Sequence, residues 1–302
     1  MNIREWALLI FTILAQLAVG MMLVSLIVRT YAAKKFNAEQ VSKLTDMPLY
    51  AVLPVMVLAM VASLFHLGKV IHIIGAVPNL GTSWMSREVV FAVIFTILIA
   101  VFAFLQWRKI GSEGLLMAIG WISSIIGLIL LYCMSMTYML PAQPAMNTIA
   151  TPVLFFVTSL LLGVLGFATI LMATFTKATT NEKPTQEFVG KTLQRIAISA
   201  ITLLGIEFLV LPFYMGYLST QGTAALHSLN LMVGTYGIVL AIRLILVFVG
   251  AGVLAAYLYR DAAIFGGQKT LATLAYSAFV LVLIGEVLAR FLFYATHYRI
   301  GV

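Results

Sequence analysis

Charge is what this 302-residue sequence has least of. Asp, Glu, Lys and Arg make up 9% of it, whereas apolar residues make up 63% and the mean hydropathy is +1.09. An ordinary soluble domain carries about a quarter charged residues. A side chain facing hydrocarbon meets no polar partner, so this scarcity excludes a water-solvated globule and points to lipid as the solvent. Cysteine is nearly absent too. Cys133 is the only one, which excludes an intrachain disulfide and any cysteine-rich metal or iron–sulfur centre built by this chain alone. Histidine occurs four times, at His66, His72, His227 and His297. All four fall at or near the ends of apolar runs, on one side. A bis-histidine haem needs two ligands facing each other inside a bundle, and none of the four is central, although spacing does not exclude a haem held by His66 and His297. The alternating pattern of a barrel strand is also missing. The net charge of +8 is scattered over the ends of apolar runs, so membrane topology accounts for it better than a nucleic-acid ligand.

What is present is a succession of apolar stretches of about 20 residues, the length a helix needs to cross the hydrocarbon core. They predict an all-α integral membrane protein, a single domain over residues 1–302 with eight transmembrane helices. The spans run over Trp6–Val28, Leu49–Leu67, Val89–Trp107, Leu115–Leu140, Val153–Thr176, Ile196–Leu218, Leu229–Tyr259 and Leu271–Ala295. The first is too long for a signal-peptide core of roughly 7–15 residues and reads as a retained span. No internal repeat is visible.

Lysine and arginine orient the bundle. The odd-numbered connections hold twelve: Arg29, Lys34, Lys35, Lys43, Arg108, Lys109, Lys177, Lys183, Lys191, Arg195, Arg260 and Lys269. The other side holds four, Arg4, Lys69, Arg87 and Arg299, while Arg243 and Arg290 lie within spans. By the positive-inside rule both termini face outward, to the periplasmic side, as do the second, fourth and sixth connections. Those outer connections are semi-apolar. The fourth, PAQPAMNTIATP over Pro141–Pro152, has no charge at all. Such loops read as a surface covered by a partner, or as short re-entrant turns.

Two constellations carry chemistry. His66 closes the second span and Glu88 opens the third, which puts an imidazole and a carboxylate at the outer boundary on neighbouring antiparallel helices. There they form a proton-handling pair with access to water. Lys69 and Arg87 are placed to orient a ligand oxygen, and Trp84 and Phe65 to pack on an apolar ring or tail. Read singly, each is ordinary for a membrane interface, and Glu88 could simply pair with Arg87. The second constellation is Glu207, Arg243 and Glu286, intramembrane charges in spans six, seven and eight, at a common depth of roughly 16–21 Å by helix rise. Arg290, four residues after Glu286, is spaced for an ion pair with it. Charges so deep face inward and paired. They read first as an ionic lock between helices and second as a proton path.

Three segments resemble the membrane-anchor subunit of anaerobic dimethyl sulfoxide reductase, within the molybdopterin oxidoreductase family. They are SLFHLGKV (Ser63–Val70) with LGTSWMSREVVFA (Leu80–Ala92), YMLPAQPAMNTIATPVLFFVTSLLLG (Tyr138–Gly163), and GEVLARFLFYA (Gly285–Ala295). The resemblance implies an anchor without haem, iron–sulfur cluster or metal of its own, set in the bacterial cytoplasmic (inner) membrane. It implies a site that oxidises menaquinol for an iron–sulfur subunit docked on the outward face, with a molybdopterin subunit reducing the terminal acceptor. It also implies that His66 and Glu88 are the quinol-site residues. The anchor of a polysulfide or nitrite reductase is the alternative of the same architecture. A transporter, which would expect an inverted repeat, is the alternative from another class.

Overall fold

The structure, a computed structural model, describes residues 3–67, 78–176, 183–265 and 267–300, with backbone alone at 3, 4, 66 and 67. Among these residues there is no strand, and eight helical segments are long and apolar enough to cross a membrane. Six come in order as α1 (Ile3–Ala32), α2 (Ala38–Leu67), α3 (Trp84–Arg108), α4 (Glu113–Met136), α5 (Ala150–Phe175) and α6 (Lys183–Thr220). The last is α10 (Gln268–Ala295). The seventh is composite, joining α8 (Gly237–Val247) to α9 (Ala255–Ile264) through a π-helical stretch, Phe248–Leu254. A short helix, α7 (Thr223–Asn230), and a π turn, Leu231–Thr235, precede it. The seventh span therefore starts at Gly237 rather than at Leu229. Leu229–Tyr236 stays largely apolar, but a π turn and the backbone break at Tyr236 (φ −107°) separate α7 from α8 there.

Helices also outrun the apolar stretches that reveal them. α2 begins at Ala38, eleven residues before the expected Leu49, because Ala38–Pro48 is a polar helical extension braced by a Glu39–Lys43 pair at 2.8 Å. The outward faces are as apolar as the core. Ile97, Ile125, Leu209 and Ile238 are all more than half exposed. In water this would be an aggregation surface, and against lipid it is solvation.

α1 is the centre of the bundle. It packs on α2, α4, α5 and α10, and Ala15, Ala18, Val19 and Leu26 retain no exposed surface. Its crossing with α5 depends on two glycines. A Cβ on Gly20 would lie 1.9 Å from the carbonyl oxygen of Ser159, and one on Gly163 would lie 2.3 Å from the Gly20 carbonyl carbon. With both Cβ atoms absent the backbones approach closely enough for polar side chains to bridge them. Gln16 Nε2 donates to the Phe155 carbonyl at 3.0 Å, and Ser159 Oγ donates to the Gln16 carbonyl at 2.7 Å. In hydrocarbon, where lipid tails are as apolar as leucine, close small-residue packing and interhelical hydrogen bonds drive association.

One basic residue is displaced from its expected place. Arg29, expected in the first connection, is fully buried at the end of α1. It pairs with Asp46 of α2 at 2.6 Å and Glu113 of α4 at 3.2 Å, and donates to Thr45 at 3.2 Å. The extended α2 carries Asp46 and Thr45 back over the end of α1, which encloses a guanidinium that the linear pattern leaves in a loop. The charge asymmetry survives without it.

Candidate functional site

The end of the bundle at which α2 finishes and α3 begins carries Phe65, His66, Trp84, Arg87 and Glu88, residues that the sequence singles out. Ser83 starts α3, its Oγ accepting from the Ser86 amide at 3.3 Å. That cap sets the first turn of α3 and so places Glu88 one turn inside. Glu88 is 6% exposed, and its Oε2 accepts a hydrogen bond from Thr137 Oγ1 at 2.9 Å. Thr137 is the residue immediately after α4, so the carboxylate is tied across to the neighbouring helix end.

Glu88 forms part of the wall of a cavity of about 100 Å³ at this end, between α1, α2, α3 and the residues after α4. Most of the wall is apolar, with Phe11, Met60, Met85 and Ala92. Its polar groups are Glu88, Ser63, Thr137 and Tyr138. A few convergent polar groups in an apolar enclosure can orient a ring bearing oxygens, and a buried carboxylate there can take a proton from one.

Tyr138, like Thr137 and Ser63, lines this cavity without being singled out by the sequence pattern. Its hydroxyl lies 2.7 Å from that of Tyr294, and its ring meets Phe155, Phe293 and Tyr294. Burial, with Tyr294 and Glu88 beside it, pushes its phenol well above the ordinary value near 10, so it stays a neutral hydroxyl. Tyr138 opens the second family-like segment, yet nothing in that segment distinguishes it from an interfacial aromatic.

The other expected residues divide. His66 lies in the last turn of α2, one turn beyond Ser63, and its side chain lies outside the described residues, as does Lys69 altogether. Arg87 is committed to the preceding connection, donating from Nε to the Leu80 carbonyl at 2.8 Å and from a terminal nitrogen to Gly81 at 2.9 Å. Its guanidinium sits 4.2 Å from the Trp84 ring, which in turn packs edge-on against Tyr132 at 5.6 Å. Arg87 therefore pairs with backbone and an aromatic rather than with Glu88. Phe65 is 66% exposed. The structure thus brings Glu88 to the cavity with Thr137 and Tyr138, and sets Arg87, Trp84 and Phe65 outside its walls.

The deep charges do gather. Arg243 pairs with Glu207, and Glu286 Oε2 accepts from Thr158 Oγ1 at 2.6 Å. No Glu286–Arg290 ion pair forms among the described residues. Arg290 instead crosses to α1, donating to Gln16 Oε1 at 2.9 Å, with its guanidinium 3.8 Å from the Phe155 ring. Four-residue spacing permits the helical pair, but a neighbouring helix offers the guanidinium both an acceptor and an aromatic face. Arg243, Glu286 and Arg290 share a second cavity of about 80 Å³, and all four ionisable groups are at least 94% buried. Phe155 and Phe293 line this cavity and also touch Tyr138, so an aromatic partition stands between the two cavities. Among the described residues, no three His, Cys, Asp or Glu side chains converge as metal ligands would.

An eight-span helical bundle with a buried carboxylate facing an apolar cavity near one end of its helices marks a membrane-embedded protein. The chain belongs to the DMSO reductase anchor subunit (DmsC) family, which it matches over residues 1–296. It is a membrane anchor of the DMSO reductase kind, with transmembrane helices. It is 25% identical over 302 residues to the C subunit of the anaerobic dimethyl sulfoxide reductase of Haemophilus influenzae, an overlap of 99% of this protein and 97% of that one. It is 26% identical over 310 residues to the YnfH subunit of an anaerobic dimethyl sulfoxide reductase of Escherichia coli, an overlap of 99% and 96%. The C subunit of anaerobic dimethyl sulfoxide reductase from the same organism is 24% identical over 302 residues, an overlap of 99% and 96%.

Proposed function

We propose that this anchor oxidises menaquinol in the cavity beside Glu88 and passes the electrons to an iron–sulfur subunit, from which a molybdopterin subunit draws them to reduce its acceptor. The observation that carries the reading is a buried carboxylate, held by Thr137, on the wall of an otherwise apolar cavity at a helix end. Quinol oxidation yields a quinone, two protons and two electrons. Glu88 takes the proton of one ring hydroxyl and His66, one turn beyond the cavity residue Ser63, takes that of the other, and both protons pass on to water. Tyr138, a neutral hydroxyl, orients the second ring oxygen.

The charge asymmetry supports a periplasmic position for this end, with both termini on the same side and the bundle in the inner membrane. The uncharged fourth connection then lies beneath the docked subunit. Electron tunnelling requires the ring to sit within about a helix diameter of the partner's nearest cluster, which accounts for a site at a helix end rather than at mid-membrane. Protons leave on that same side, so the reaction builds no gradient across this subunit. The test uses the purified complex and reduced menaquinone under anaerobic conditions. The partner's clusters become reduced in the native complex and stay oxidised in an assembled Glu88→Gln complex. Clusters that stay oxidised in the native complex overturn the reading.

A further inference from the structure

At the opposite end of α1 from the quinol cavity, α1, α4, α5 and α6 enclose a groove of about 330 Å³ whose floor includes Val28, Trp121 and Ile196. Its mouth is cationic. Lys34 and Arg195 line it together with Tyr31. Arg195 donates to the Tyr31 hydroxyl at 3.2 Å and lies 4.4 Å from the ring centroid, and Lys35 Nζ lies 5.1 Å from the same ring. Arg195 and Lys35 thus flank one tyrosine, Lys34 lines the groove beside it, and none of the three forms an ion pair with a carboxylate among the described residues. The neighbouring acid, Glu187, forms its ion pair with Lys191 and lies within electrostatic reach of Lys35. Three cations grouped at one groove, with Glu187 the carboxylate near them, leave an excess of positive charge complementary to an anion, and the apolar part of the lining is complementary to an acyl tail.

We infer that this groove is a binding site for one anionic phospholipid, its phosphate held by Lys34, Lys35 and Arg195 and one acyl tail laid along Val28, Trp121 and Ile196. Basic pockets between transmembrane helices bind acidic headgroups in this way, and each added cation near the surface strengthens binding about fivefold. The ligand is a lipid rather than a soluble anion because much of the groove's lining, Val24, Val28, Trp121, Val164 and Ile196, is apolar. No residue of the quinol cavity takes part, so quinol oxidation is not the readout.

The test is native mass spectrometry of the detergent-purified protein with its co-purifying subunits, titrated with phosphatidylglycerol and with phosphatidylcholine of the same acyl composition. The native protein is expected to retain phosphatidylglycerol at least about tenfold more strongly. Lys34→Gln, at an exposed residue where folding is not at stake, lowers that preference about fivefold. The triple variant Lys34→Gln/Lys35→Gln/Arg195→Gln abolishes it, while the control variant Arg260→Gln/Lys269→Gln, which removes cations elsewhere, keeps it. Val28→Trp, which fills the floor, weakens retention with the cations intact. The proposal is overturned by equal retention of the two lipids, by an unchanged preference in Lys34→Gln, or by complete displacement of the lipid with millimolar inorganic phosphate, which would mark a simple anion site.

Discussion

Thr137 Oγ1 stands 2.9 Å from Glu88 Oε2 and 3.0 Å from the Cys133 carbonyl oxygen, so one hydroxyl links the carboxylate to the end of α4. The two residues are 49 apart in sequence and meet only because α3 and α4 are packed antiparallel neighbours. A carboxylate fixed in this way has a defined position for receiving a proton. Glu88→Gln keeps the size and removes the basicity, and general-base removal typically costs about 10²–10⁴-fold. Quinol oxidation by the assembled complex is expected to fall at least about 100-fold. Thr137→Val removes the hydroxyl's bonds to Glu88 and to the Cys133 carbonyl while leaving the carboxylate in place, and is expected to lower the rate about tenfold, in line with about 1.5 kcal/mol for a bond to a charged group. Anaerobic turnover with a reduced quinone analogue measures both, and equal rates for Glu88→Gln and the native complex would remove Glu88 from the mechanism.

Tyr138 and Tyr294 offer a test that separates binding from chemistry. Tyr138→Phe keeps the ring contacts with Phe155 and Phe293 and loses the hydroxyl pair. A hydroxyl that orients bound quinol in ground and transition states alike gives a raised KM with kcat little changed. The expected rise is about three- to tenfold, and Tyr294→Phe, whose hydroxyl reaches the cavity only through Tyr138, gives less. A fall in kcat at constant KM would instead make Tyr138 part of the proton transfer.

The deep ionic layer predicts a stability effect. Arg243→Gln leaves Glu207 buried at 2% exposure without its cation, and breaking a buried pair costs about 3–5 kcal/mol. Yield and thermal stability in detergent are expected to drop sharply, and Glu207→Gln added to Arg243→Gln restores much of the loss. Turnover per assembled complex stays near the native value if the layer is a lock between helices. An assembled Arg243→Gln complex with normal stability and lost quinol oxidation would make it a proton path.

The α1–α5 crossing predicts a contrast between glycines. Gly163→Ala drives a methyl into the Gly20 backbone, where neither atom can yield without separating the helices, and is expected to abolish stable expression. Gly205→Ala on α6 meets nothing within 4 Å and gains helix propensity, so its melting temperature is expected to hold or rise slightly. Comparing the two variants by size-exclusion profile and thermal melt checks the assignment.

Much of this architecture is written locally. A span is announced by its own composition, because each stretch of backbone in lipid must close its hydrogen bonds within itself. Glu88 was legible for the same reason, since a carboxylate beside an apolar run is conspicuous wherever it points. Other features are relational. Arg29 looks like a loop charge until Asp46 and Glu113 arrive from two other helices. Arg290 looks like the helical partner of Glu286 until Gln16 of α1 is seen to receive it. Arg87 looks like a ligand for the site until the Leu80 and Gly81 carbonyls take its donors.

By itself, then, the sequence determined the solvent of this protein, its eight crossings and the end of the bundle to which Glu88 belongs. Hydropathy and single conspicuous charges are properties of one segment at a time, and they survive whatever the neighbouring helices do. Only the tertiary structure decided that Glu88 shares a cavity with Tyr138, that Thr137 holds the carboxylate, and that the deep charges meet around a second cavity. Those outcomes depend on which helix faces which, and that is settled by close packing at places such as Gly20 and Gly163, where a single methyl group would change the neighbour.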